Sequence, residues 1–81
     1  MNKKIQKLIF TIDEIDKDYR AWSGTEELEF SSWKDAEKHC KEESWTGYYY
    51  VVSGCLVILD NGERHYLDKQ YKYNEFMKRL N

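Results

Sequence analysis

A small α+β domain is the fold class this sequence predicts: an antiparallel or mixed sheet built on a three-stranded C-terminal meander and packed by two or three helices. Three observations carry that expectation. Residues 47–67, GYYYVVSGCLVILDNGERHYL, place apolar alternating runs on both sides of Asn61-Gly62. That dipeptide is the strongest short-range hairpin signal, because both residues tolerate φ > 0. Ser32 with Asp35 three residues later resembles a capping box and heads a helical stripe of Trp33, Ala36 and Cys40. Tyr73, Phe76, Met77 and Leu80 repeat at helical spacing near the end of the chain.

With 81 residues the chain is expected to form one domain, residues 1–81. A chain this short buries only roughly 60–65% of its unfolded surface, so each large apolar side chain matters. Its thirteen aromatic residues make a core plausible without metal or disulfides.

Taken in order, Ile5, Leu8, Ile9, Ile12 and Ile15 fit one helical face, and residues 4–15 are expected to be a helix. An opening strand is the alternative, since Leu8, Phe10 and Ile12 also alternate. Tyr19 to Trp22 reads as a short strand closed by Ser23-Gly24, and Glu27 to Phe30 as another, with Leu28 and Phe30 on one side. The helix capped by Ser32 ends between Ser44 and Gly47. Strand–helix–strand is thus the reading of Leu28 to Val52.

In the meander, a two-residue turn at Asn61-Gly62 pairs Leu59 with Arg64, Ile58 with His65, Val57 with Tyr66 and Leu56 with Leu67. Ser53-Gly54 is expected to form a second turn; the alternative is one long strand from Tyr48 to Leu59, bulged at Gly54. A final helix begins near Asp68, a good N-cap residue, with Tyr71 pointing away from its apolar stripe.

Composition excludes several classes of function. The net charge of −2 supplies no global basic field for nucleic acid or an anionic membrane. No apolar run approaches the ~20 residues that cross a bilayer. The N-terminus has lysines but no continuous apolar middle, so a cytoplasmic protein is expected. Two well-separated cysteines in no CxxC pattern fit reduced thiols.

The chemistry-bearing residues are sparse. His39, Cys40, Cys55 and His65 are the only soft ligands and lack paired metal-ligand spacing, so no metal and no cofactor are expected. Cys40 lies on a buried stripe and Cys55 has no fixed base beside it, which argues against a thiol nucleophile. Acid pairs such as Asp13/Glu14 and Glu26/Glu27 are flanked by polar residues, without the burial that separates carboxylate roles. The four glycines are single and scattered, so no phosphate loop is present. No enzyme is expected.

Binding remains. From Asp13 to Glu29 there are seven acids against Lys17 and Arg20, a local balance of −5. Tyr and Trp are favoured interface anchors. The candidate partner-binding residues are Trp22, Glu26, Glu27, Glu29, Trp45, Tyr49 and Tyr71, an acidic-aromatic set suited to a protein partner with a basic surface. The competing structural role of each ring is the core, which in a domain this small can use every aromatic. A single-strand nucleic-acid binder is the alternative, with tyrosines 48–50 and Tyr66 as stacking rings; the dispersed basic residues weigh against it. Lys, Ile, Asn and Tyr supply 26 of 81 residues and Ala, Gly, Arg and Pro only nine, a signature of AT-rich coding. Small size, this signature and the acidic-aromatic set point toward a phage or mobile-element inhibitor of a host nucleic-acid-handling defence complex.

Overall fold

In the computed structural model, which describes residues 4–80, the chain runs β1 (Ile5–Asp16), β2 (Ala21–Glu29), α1 (Trp33–Glu43), β3 (Tyr48–Leu59), β4 (Arg64–Leu67) and α2 (Gln70–Leu80). The fold is α+β. Its four strands form one antiparallel sheet in the order β2-β1-β3-β4. β2 and β3 flank β1, so the β2–α1–β3 segment is a strand–helix–strand crossover that straddles a third strand.

Residues 5–16 are a central strand, not the expected helix. Leu8, Phe10 and Ile12 enter the core at the strand period of two. Ile9 and Ile15 are half-buried on the opposite face. A strand with apolar residues on both faces imitates a helical stripe. The two short strands expected between Tyr19 and Phe30 are one strand. Ser23 is the extra residue of a bulge, since Gly24 faces Glu14 while Trp22 faces Ile15. The turn comes earlier: Asp16 Oδ1 accepts the amides of Asp18 and Tyr19 at 2.9 and 3.3 Å, and Arg20 takes φ 51°.

The expected turn at Ser53-Gly54 is absent, and with it the three-stranded C-terminal meander. β3 is one twelve-residue strand with a bulge at Ser53, where Val52 faces Ile12 and Gly54 faces Thr11. β1 supplies a partner along nearly the whole of β3, which removes the reason to fold back.

The Asn61-Gly62 hairpin forms with its register displaced by one. Ile58 faces Arg64, Val57 His65, Leu56 Tyr66 and Cys55 Leu67. Only Gly62 takes positive φ, 89°, while the amide of Gly62 donates to Leu59 O and that of Leu59 to Glu63 O, each at 2.9 Å. This is a three-residue loop, a turn closed by a left-handed glycine. A one-residue slip exchanges the faces of every side chain on the strand. His65 therefore turns to the helices, its ring 4.7 Å from that of Phe76, and Tyr66 turns away from them.

The helices fulfil their local signals. Ser32 Oγ accepts the Asp35 amide at 3.1 Å, and Trp33, Ala36 and Cys40 are buried. Ser44 Oγ donates to Cys40 O at 2.7 Å and accepts the Tyr50 amide at 3.2 Å, joining the end of α1 to β3. α2 starts two residues after Asp68, which instead pairs with Lys72 at 3.0 Å. Tyr73 is buried, and Phe76, Met77 and Leu80 pack against the core. The Tyr73 hydroxyl accepts the Trp33 amide at 3.3 Å, tying the two helices together. Phe10 lies at the centre, its ring 5.9–6.1 Å from those of Trp33, Tyr73 and Phe30.

Candidate functional site

Both helices pack on the sheet face that carries Phe10, so the opposite face has no covering layer among the described residues. Strand pairing arranges that open face in transverse rows. At one end Trp22, Ile15 and Tyr49 stand side by side. Next come Thr25, Asp13 and Val51, and then Glu27, Thr11 and Gly54. Glu29, Ile9, Leu56 and Tyr66 form a four-strand row, followed by Lys7, Ile58 and Arg64.

Ile9, Ile15, Leu56 and Ile58 are half-buried along the two central strands. Exposed rings and aliphatics accompany them: Trp22 at 65%, Tyr66 at 58%, Tyr49 and Val51 each at 38%. The apolar side chains gather toward the two ends of the face, around Ile15 and around Ile9, with Asp13 and Thr11 between them on β1. Along β2 the face is acidic, with Glu27 and Glu29, while Asp13 adds a carboxylate on β1. Lys7 lies 3.1 Å from Glu29. A hydrogen-bonded chain holds the aromatic end in place: Trp22 Nε1 donates to Thr25 Oγ1, which donates to Asp13 Oδ1, each at 2.8 Å.

Four of the seven sequence candidates, Trp22, Glu27, Glu29 and Tyr49, thus meet on the open face. The other three do not share it. Glu26 faces Ile12 on the helix side, beside a 270 Å³ hollow lined by Glu14, Gly24 and Tyr50. There the Tyr50 hydroxyl donates to Glu14 Oε1 at 3.1 Å, which raises the tyrosine pKa. Trp45 lies in the α1–β3 loop at the Trp22 end of the sheet, its ring 5.2 Å from that of Tyr48 and tilted 41° to it, and its carbonyl accepts Lys17 Nζ at 2.7 Å. Tyr71 is exposed on α2.

Ile9, Ile15, Leu56 and Ile58 are not among the sequence candidates, and Tyr66 is one only as a stacking ring of the nucleic-acid alternative. A period-two reading of residues 5–16 finds the first two, since odd positions of that strand line one face. Tyr66 needs the true hairpin register.

The remaining reactive groups are sequestered. Burial pushes the Cys55 thiol up to about 12, and burial with the nearby Glu37 raises Cys40. No cluster of three or more metal-ligating side chains occurs among the described residues. A concavity of 580 Å³ lies between α1, β3 and the start of α2, lined by Glu37 and Asp68 and by Lys41 and Lys69. No helix among the described residues is long and apolar enough to cross a membrane. Comparison with protein-family models, with curated proteins and with solved structures found no match.

Proposed function

We propose that the chain is a non-enzymatic protein-interaction domain that meets a basic partner surface with the open face of its sheet. The supporting observation is the convergence on one uncovered face of Trp22, Tyr49, Glu27 and Glu29 around the half-buried Ile9, Ile15, Leu56 and Ile58. Rings and aliphatics supply the desolvated centre of an interface, and the acids along β2 select charge at its rim.

The specific form of the proposal is an inhibitor, made by a phage or mobile element, of a host complex that handles nucleic acid. Small size, AT-rich coding and the acidic-aromatic face support it. The acids are too few for mimicry of DNA by the whole molecule, so the inhibitory contact is a patch. Affinity capture from the source cell tests this. The wild-type chain recovers a basic partner, and Glu27→Lys/Glu29→Lys abolishes recovery without lowering Tm. Recovery unchanged by the charge reversal sinks the proposal.

The exposed rings of Trp22, Tyr49 and Tyr66 favour a second reading, a base-stacking platform for single strands. Asp13, Glu27 and Glu29 stand on the same face and repel phosphates. Titration with a single-stranded oligonucleotide at low salt separates the two readings: affinity that falls steeply with salt and with Tyr49→Ala belongs to the platform.

A further inference from the structure

We infer that β2 is a docking edge, and that an extended basic segment of the partner adds to it as a fifth strand. The inference rests on the reading of the chain as a binder of a basic protein, and it specifies how that partner is held.

β2 is a terminal strand nine residues long, whereas β4, at the other side of the sheet, has four. The phase of the hydrogen-bond ladder follows from one contact. Leu59 donates to Glu63 O, so Leu59, Val57 and Cys55 aim their backbone groups toward β4, and Leu56 and Ile58 toward β1. Leu56 faces Ile9, which therefore bonds to β3, leaving Leu8, Phe10 and Ile12 to bond toward β2. Their partners Leu28 and Glu26 use their backbone groups inward. Thr25, Glu27 and Glu29 consequently present N–H and C=O groups outward along the edge, with no strand beyond them among the described residues.

The same three residues carry their side chains on the open face. A strand added alongside would place every second side chain on that face, next to Glu27 and Glu29, and the intervening ones beside Glu26. Glu26 and Glu27 make no ion pair among the described residues, and Glu29 has Lys7 alone. Opposite charges across a strand pair stabilise it and like charges destabilise it. Antiparallel pairing of β2 with a second copy, centred on Glu27 or on Leu28, would set Glu27 against Glu27 or against Glu29 of that copy. The charges that deter self-association thus select a strand bearing lysine or arginine. The unpaired half of β3 offers no equivalent edge. The Tyr50 amide is already satisfied by Ser44 Oγ, and the groove beside it mixes both signs of charge.

The test measures backbone amide exchange by NMR in the full chain. The probe is an acetylated, amidated peptide of alternating lysine and threonine, about eight residues long. With peptide up to about 1 mM, exchange at Thr25, Glu27 and Glu29 is expected to slow about tenfold, with Glu26 and Leu28 unchanged. The effect is lost in Glu27→Lys/Glu29→Lys and returns when that variant is given the glutamate–threonine peptide. Absence of binding overturns the inference, and so does binding that leaves the three outward amides exchanging at their original rates. If charge reversal abolishes partner capture while these amides stay unprotected by the peptide, the interaction domain stands and strand addition falls. If the amides are protected but capture survives charge reversal, the captured protein is not held through β2, and both the acidic-face reading and partner docking at this edge fall.

Discussion

The ring of Tyr66 lies across Gly54 on the open face, so close that a β-carbon at position 54 would come 2.6 Å from Tyr66 Cζ. Gly54 is buried although it has no side chain, because the tyrosine of the neighbouring strand covers it. Covering a strand glycine with an aromatic ring is a recognised way to hold register. Gly54→Ala is expected to displace the exposed Tyr66 ring, and Tyr66→Ala to cost about 1 kcal/mol. The two effects do not add. A double-mutant cycle read by urea unfolding should give a coupling of about 0.5–1.5 kcal/mol, and additive effects would remove Tyr66 as the cover of Gly54.

That contact also shows why part of the fold was hidden. A glycine between two apolar runs carries the same local signal whether it turns the chain or lies under a ring. The difference resides in Tyr66, twelve residues on, and in β1, which pairs with the strand on both sides of the bulge. Residues 5–16 are ambiguous for a related reason: apolar residues at Leu8, Ile9, Ile12 and Ile15 satisfy two periods at once, and only the presence of strands on both sides decides between them. The hairpin register depended on whether Asn61 joins Gly62 at positive φ, which a dipeptide cannot reveal. By contrast the helix cap at Ser32 and the stripes of both helices are local, and were legible. So were Trp22, Glu27, Glu29 and Tyr49 as surface residues. Their meeting on one face was not, because β1 joins them and its residues fit a helical period as well as a strand period.

The cap itself yields a prediction. Ser32→Ala removes the acceptor of the Asp35 amide and should lower stability by about 1 kcal/mol, with Ser32→Asp close to wild type. Equilibrium urea unfolding of the three proteins checks it.

Three contacts join the helices: the Trp33 amide donating to the Tyr73 hydroxyl, Gln70 Nε2 donating to Glu37 Oε1 at 3.1 Å, and the Trp33 and Tyr73 rings 5.5 Å apart. Tyr73→Phe leaves the Trp33 amide without the hydroxyl that accepts it while keeping the ring against Phe10. A loss of about 1–2 kcal/mol is expected. Phe10→Ala should cost about 3–5 kcal/mol and leave little folded protein in a domain of this size, visible by circular dichroism.

Alkaline pH should weaken the fold through Cys55. Burial raises its thiol from 9.0 to about 12 in the folded chain. The folded state therefore favours the neutral thiol. The associated stability is complete below pH 9.0 and is lost as pH rises through about 12. Tyr73, raised by burial, shifts stability in the same direction. Cys55→Ala should flatten the fall in urea-unfolding stability above pH 9.0, and both thiols should resist a thiol-specific dye at neutral pH until urea unfolds the chain.

Native aromatic residues on both sides of the molecule report where the proposed partner binds. Trp22, Tyr49 and Tyr66 are exposed on the open face, while Tyr71 is exposed on α2. Hydroxyl-radical footprinting of the captured complex, compared with the free chain, reads the oxidation of each ring. Protection of Trp22, Tyr49 and Tyr66 with Tyr71 unchanged is the expected result. Protection of Tyr71, with the three open-face rings oxidised as in the free chain, would contradict it.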